Sequence, residues 1–265
     1  MYVQKFIKIR FFSPIIFQKS HIELPWRISS DYIVRALTFA YAKLYNSIED
    51  WFKALERDLI RVSSLIMINN DIPYFPDFSV KGYVSVDGDI IEYSDLLSQI
   101  PRVRIPREKD LEPTPFEDYI LLTPKYDWGL ILLVDKDVYN ELQRKIIASL
   151  NVLGDFGLGA RKTRGSGRFR IIGIENPDNY GVKVNSEGEG KLISRYIQSN
   201  NSTKIKKSTF IERTRIYYGE GKIKEFLVIA EGSELDVKDN GILEYFENDL
   251  GHKVPLYFRP LLLTD

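Results

Sequence analysis

Between Val3 and Phe11 apolar and polar positions alternate. Val3, Ile7, Ile9 and Phe11 fall on one side and Gln4, Lys8 and Arg10 on the other, the period-two pattern of a half-buried strand. After the segment "KSHIELPWRI" the period changes. In "SSDYIVRALTFAYAKLY" Ile33, Leu37, Ala40, Tyr41 and Leu44 recur at helical spacing behind Ser29, Ser30 or Asp31, any of which can cap the first turn. A second amphipathic stretch, "IEDWFKALERDLI", aligns Trp51, Leu55 and Leu59. Tryptophan at such spacing is usually buried, so Trp51 and the earlier Trp26 are expected in the core or at an interface.

From Asn69 to Thr123 the pattern is broken by proline. "GYVSVDGDIIEYS" sets Asp87-Gly88 between apolar runs, a hairpin signal, while "QIPRVRIPREKDLEPTPFED" has prolines too closely spaced for a helix and reads as an extended arm or loop. Trp128 to Val134 is a continuous apolar run, as expected of a central strand. A helix beginning at Asp135 to Asp137 follows, with the stripe Leu142, Ile146, Leu150 and Leu153, and Gly154 and Gly157 are placed to end it. "RFRIIGIEN" then reads as another strand. Strand, helix, interrupted segment, strand, helix, strand is the order of a split βαβ unit. The expected fold class is therefore α+β, with a ferredoxin-like (RRM-like) domain over residues 1–176 carrying a long insertion at 46–126. Past Pro177, "NPDNYGVKVNSEGEG" reads as a linker, and residues 177–265 form a smaller, strand-rich second domain.

Composition narrows the function. A chain of 265 residues that is 44% hydrophobic and 13% aromatic can bury a sizeable core. Lys+Arg and Asp+Glu are equal at 37 each, so a polyanionic partner can be argued only from local clustering. Between Gln143 and Arg170 the bases Arg144, Lys145, Arg161, Lys162, Arg164, Arg168 and Arg170 face a single acid, Asp155. Further clusters are Lys204, Lys206, Lys207, Arg213 and Arg215, and Arg102, Arg104, Arg107 and Lys109. The absence of cysteine excludes a disulfide framework and thiolate chemistry, and fits a reducing, cytoplasmic setting. The charge-interrupted N-terminus reads as neither a signal peptide nor a membrane span, so the N-x-S/T matches at Asn200 and Asn201 carry no weight.

The densest feature is "GLGARKTRGSGRF", residues Gly157 to Phe169. It is not a P-loop, because Lys162-Thr163 follows Arg161 rather than glycine, and it is not a dinucleotide fingerprint, because Lys162 stands at the third glycine position. Both of those motifs run strand, loop, helix, so that phosphate meets the positive end of a helix. Here the loop leaves the negative end of one, and basic side chains must reverse the sign. Glycines allow positive φ and a nest of backbone amides, which suits a sugar-phosphate backbone. The contact set read from the loop is Gly157, Gly159, Arg161, Lys162, Thr163, Arg164, Gly165, Ser166, Gly167 and Arg168. The competing reading is a solvated connection, and the local excess of base in a neutral chain favours RNA or DNA phosphate.

A helix followed by this spacing of glycines resembles the signature of the RAMP superfamily of CRISPR-associated proteins, which bind guide RNA on ferredoxin-like folds, often two per chain. "SSDYIVRALTFAYAKLY" resembles the serine-aspartate opening of that family's first helix, "IPRVRIPR" its arginine-rich middle, and "LISRYIQS" and "AEGSEL" parts of its C-terminal domain. Together they resemble the fourth-subunit family of the Csm (type III-A) effector complex. That resemblance implies a second ferredoxin-like domain and a non-catalytic role binding the 5′ handle of the guide RNA (crRNA). It further implies docking of the large signature subunit beside backbone RAMP subunits in antiviral defence, with no membrane and no cofactor or metal.

Arg102, Arg104 and Arg107 alternate along the arm, which suits contacts to single-stranded RNA, although Glu108, Asp110 and Glu112 could equally pair with them. Lys204 to Lys207 is open between RNA contact and a solvated loop. The rival within the superfamily is the metal-independent repeat-processing endoribonuclease, for which His21 is the candidate acid or base. That enzyme usually carries its glycine loop near the C-terminus, whereas here almost a hundred residues follow. His252 reads as a turn residue, and Asp31 as a helix cap rather than the exposed aspartate of target-cutting relatives. Asp87 and Asp89 lack the further acids of a calcium loop.

Overall fold

The computed structural model describes residues 1–18, 27–104, 114–121, 123–160, 162–200, 203–206, 208–217, 223–248 and 251–264. The alternating N-terminus forms β1 (Tyr2–Phe11), and the chain turns a corner into β2 (Ile15–Gln18). In α1 (Ser30–Leu44) the stripe Ile33, Leu37, Ala40 and Tyr41 is buried as expected, whereas Leu44 is exposed at the last turn. Ser29 occupies the N-cap without a cap bond from its side chain. The next helix, α2 (Glu49–Glu56), is shorter than its amphipathic pattern: Asp58 turns the chain with φ 57°, leaving Leu59 beyond the end. Trp51 is fully buried, its indole N–H donating to Thr38 Oγ1 at 2.8 Å.

The chain continues through β3 (Ile60–Val62), β4 (Ile66–Asn69), β5 (Ile72–Asp77), β6 (Gly82–Ser85) and β7 (Ile90–Glu92). Asp87 and Gly88 stand in the β6–β7 turn, Gly88 with φ +90°, as the hairpin signal predicts. A single turn, α3 (Tyr93–Leu96), leads into β8 (Leu97–Arg104), which pairs with β9 (Thr114–Leu121). The proline-rich arm is thus a long antiparallel hairpin, not a loop, and with β2 it makes a three-stranded sheet. Then come β10 (Asp127–Asp135), α4 (Lys136–Phe156) and β11 (Phe169–Glu175). Asp135 caps α4, its carboxylate accepting from the amides of Asp137 and Val138, and the stripe Leu142, Ile146, Leu150 and Leu153 is buried.

In the main sheet the strands lie in the order β11-β1-β10-β4-β5-β6-β7, with β3 also paired to β10. Counting the elements of the predicted unit as first to fourth strand, this places fourth beside first, first beside third and third beside second. All three pairings are antiparallel, as a split βαβ requires. The residues 46–126 read as one insertion therefore include β3 and β4, which belong to this unit, and β5 to β7 extend its sheet.

The sheet carries a packed cluster on each face. Ile7, Ile9 and Phe11 of β1 and Leu130, Leu132 and Val134 of β10 pack against α1 and α4. On the other face Phe6, Ile131 and Leu133 pack against Val182, Val184, Ile193 and Leu261. Phe6 is the residue that the half-buried reading of β1 overlooks. Gly129 makes room for it, since a Cβ there would lie 2.4 Å from the Phe6 ring.

The expected linker is structured and partly buried. It contributes β12 (Lys183–Asn185) and β13 (Gly188–Leu192), and is followed by β14 (Lys204–Ile205), β15 (Ile211–Tyr217), β16 (Ile223–Ile229), β17 (Glu234–Val237), β18 (Ile242–Glu247), β19 (Lys253–Phe258) and β20 (Leu262–Thr264). These make a five-stranded sheet in the order β12-β20-β13-β17-β14 and two hairpins, β15-β16 and β18-β19. Among the described residues no α-helix follows Phe156, so the second ferredoxin-like domain gives way to an arrangement of strands alone. Val182, Val184, Ile193 and Leu261 pack on the main sheet, while the remaining strands bury Leu192, Tyr196, Leu235 and Val237 in one further cluster and Ile216, Val228, Leu256 and Phe258 in another. Among the described residues no helix is long and apolar enough to cross a membrane.

Candidate nucleic-acid interface

The glycine loop is a folded strap laid over the β1–β2 corner. Gly157, with φ +83°, ends α4 as expected, but Gly154 lies inside the helix, where a Cβ would meet the Phe169 carbonyl oxygen at 2.4 Å. The Leu158 amide donates to the Gly167 carbonyl at 3.0 Å, the Gly159 amide to the Tyr32 hydroxyl at 3.0 Å and the Ala160 amide to the Ile16 carbonyl at 2.7 Å. From the returning limb, the Gly167 amide donates to the Pro14 carbonyl at 2.9 Å and the Arg168 amide to Ser13 Oγ at 2.9 Å. Ser166 Oγ accepts from the Ile16 amide and donates to the Pro14 carbonyl.

This corrects the expectation of an amide nest. The amides of Gly157, Gly159, Gly165 and Gly167 are committed to acceptors within the protein. Three of these glycines serve close approach: a Cβ would lie 2.1 Å from the Ser166 carbonyl oxygen at Gly157, 2.0 Å from that of Leu158 at Gly167, and 2.6 Å from Ile15 Cγ2 at Gly159. Ser166 is buried and holds the strap rather than a ligand.

What remains for a ligand is side chains. Thr163, Arg164 and Arg168 are exposed and Lys162 is half-buried, with Lys162 to Arg164 forming one turn of 3-10 helix at the crest. Among the described residues no acid pairs with Lys162, Arg164, Arg168 or Arg170. Arg161 lies outside the described residues. The second basic cluster differs: Lys206 is 3.2 Å from Glu189, Arg213 is 3.9 Å from Glu225, and Arg215 also pairs with Glu225. Lys204 is exposed on β14, and Lys207 lies outside the described residues. Two clusters that look alike in sequence therefore differ in free charge. In the arm, Arg102 and Arg104 stand on β8 in register with Phe116 and Thr114 of β9, and Arg107 lies outside the described residues.

Asp31 is 1% exposed, so it is not an exposed catalytic aspartate. It accepts from Arg35 at 3.0 Å and Arg195 at 3.3 Å. Arg195 also bonds Glu212 at 3.1 Å, Glu212 accepts from Arg27 at 2.5 Å, and Arg27 Nε donates to Glu231 at 2.6 Å. The Ser64 hydroxyl donates to the second oxygen of Glu231. This alternating chain ties the start of α1 and the entry to β4 to the C-terminal strands, and apart from Asp31 and Arg35, which stand four residues apart on α1, nothing in the sequence pairs its members. Burial alone would raise the Asp31 pKa, but Arg195, Arg35 and a hydrogen bond from Ser29 outweigh it, and the pKa lies below the ordinary value. Its stabilising contribution is therefore complete above the ordinary carboxylate range and lost as pH falls through its depressed pKa. Urea midpoints measured down a pH series are expected to drop in acid, and to drop less steeply in Asp31→Asn.

His21 and Trp26 lie outside the described residues, and His252 sits exposed in the β18–β19 turn, its amide donating to Asn248 Oδ1 at 2.9 Å. Asp87 and Asp89 are exposed, and among the described residues no group of acids and histidines could hold a metal.

No protein-family model matches the chain, and no curated protein does. Solved structures do. A chain of the crystal structure of a Csm3-Csm4 subcomplex in the type III-A CRISPR-Cas interference complex superimposes with a TM-score of 0.64 at 17% identity over 100% of both chains. Chains of Csm1-Csm4 cassettes, in complex with cA4 and with AMPPNP, superimpose with TM-scores of 0.59 and 0.56 at 16% and 14% identity, each over 98% of both chains. From end to end, the chain is similar in fold to subunits of type III-A CRISPR-Cas assemblies.

Proposed function

We propose that the protein is a non-catalytic, guide-RNA-binding subunit of a type III CRISPR-Cas effector complex, that it holds the 5′ handle, and that it docks the large signature subunit. Csm4 is the component named in both kinds of assembly that the fold resembles, and Csm1 and Csm3 are its companions there, so equivalents of those chains are the expected partners. The observation that carries the RNA reading is a crest of cations, Lys162, Arg164 and Arg168, that no acid among the described residues pairs, held on a strap whose backbone is bonded on both limbs. Such a crest fits a polyanion lying across it, because fixed charges attract successive phosphates without reorganising.

Changing Lys162, Arg164 and Arg168 together to alanine is expected to weaken single-stranded RNA binding. It should also flatten the plot of log affinity against log salt by about 2, at about 0.7 for each phosphate no longer neutralised. Fluorescence anisotropy at several salt concentrations measures both, and unchanged affinity and slope exclude the site. The purified chain is expected to leave repeat RNA intact. Metal-independent cutting abolished by His21→Ala would favour the endoribonuclease instead.

A further inference from the structure

The main sheet is covered on its non-helical face only part of the way. Phe6 lies under the C-terminal strands, and Lys8, next on that face, is held by Asp71 at 3.4 Å and Glu175 at 3.8 Å over the Tyr180 ring. Beyond Lys8 the cover stops. Arg10 is paired with Arg170 in register, and the Phe12 amide donates to the Arg168 carbonyl at 3.1 Å. The intervening Phe11 and Phe169 point into the helical core, so Arg10, Phe12, Arg168 and Arg170 all emerge on the open face. Phe12 is 53% exposed, with the Arg170 guanidinium 5.6 Å from its ring centroid. Arg10 is neutralised by two bonds to Asp127, at 2.7 and 2.8 Å, whereas Arg168 and Arg170 have no acid among the described residues.

We propose that this open end of the sheet is a nucleobase-stacking site for single-stranded RNA, with the Phe12 ring as the platform and Arg170 beside it. The inference rests on the RNA-binding reading and deepens it. One exposed aromatic ring flanked by guanidiniums that no acid among the described residues neutralises is a poor surface for an apolar protein partner and a good one for a base with a phosphate on either side. The strap's Arg168 is common to both sites, so a strand whose phosphates cross the crest brings its next base to Phe12. Phenylalanine offers a face and no hydrogen bond, so the site accepts any base.

The full-length chain is titrated into fluorescein-labelled oligouridylate and into an abasic ribose-phosphate oligomer of the same length. Phe12→Ala is expected to weaken oligouridylate binding roughly tenfold, the ordinary loss for one stacked base, with the salt slope unchanged. Phe12→Trp should retain binding and show tryptophan quenching by RNA, and the abasic oligomer should bind wild type and Phe12→Ala alike. If Phe12→Ala binds oligouridylate as wild type does while the triple alanine variant of the crest is weakened, stacking is overturned and the RNA reading stands. If Phe12→Ala weakens binding of the abasic oligomer just as much, stacking is likewise overturned. If neither variant moves, both readings fall.

Discussion

Glu231→Ala is expected to lower the unfolding free energy by about 3–5 kcal/mol, the cost of breaking one side of a buried ion pair. Glu231 is fully buried and bonds Arg27 through one carboxylate oxygen and Ser64 through the other. Removing it takes away the carboxylate on Arg27 Nε and unbalances a chain of three arginines and three acids, Arg35, Asp31, Arg195, Glu212, Arg27 and Glu231. Glu231→Gln keeps an acceptor oxygen for Arg27 and turns an NH2 toward the Ser64 hydroxyl, which can accept, so it should destabilise less. Urea denaturation followed by tryptophan fluorescence separates the two. An alanine variant as stable as wild type would mean that the network contributes nothing net.

The second large effect is expected in the strap. Gly157→Ala and Gly167→Ala should each cost about 3 kcal/mol, through a positive φ that a Cβ disfavours by about 1–2 kcal/mol and a close backbone approach that must open. Each new Cβ would sit about 2 Å from a carbonyl oxygen of the opposite limb, and that oxygen belongs to a rigid main chain. Gly165 is the internal control: its φ is +82°, but nothing lies closer than 3.9 Å to its Cβ, so Gly165→Ala should cost only about 1 kcal/mol. If the strap merely displayed glycine for flexibility, the three variants would behave alike in denaturation. Because the outer limb carries Lys162 and Arg164, the first two variants should also weaken RNA binding while Gly165→Ala keeps it.

Several elements are legible from local pattern. The Trp128 to Val134 run is apolar without a break because β10 is central and buried on both faces, and the Asp135 cap and four-residue stripe of α4 are local signals. The helix-strap-strand order is visible in the same way, and with it the argument that basic side chains must supply the positive charge. Phe12 is within reach too: it follows Phe11 at the end of an alternating strand, where period two turns one ring inward and the next outward.

Other features depend on contacts between distant segments. Phe6 looks like an interruption of the β1 pattern until Val182, Val184 and Leu261 are brought over it. The polar stretch after Pro177 reads as a linker because only its alternate residues are apolar, and those are the ones that pack. The four glycines suggest amides offered to phosphate, and only the folded strap assigns those amides to the carbonyls of Leu153, Lys162 and Pro14 and the Tyr32 hydroxyl. The sequence alone determined the order of the elements and where positive charge accumulates, since periodicity, caps and charge density are properties of neighbouring residues. Tertiary structure decided which of those charges are paired, because Glu189 and Glu225 reach Lys206, Arg213 and Arg215 of one basic cluster across strands, while among the described residues no acid reaches the crest of the strap.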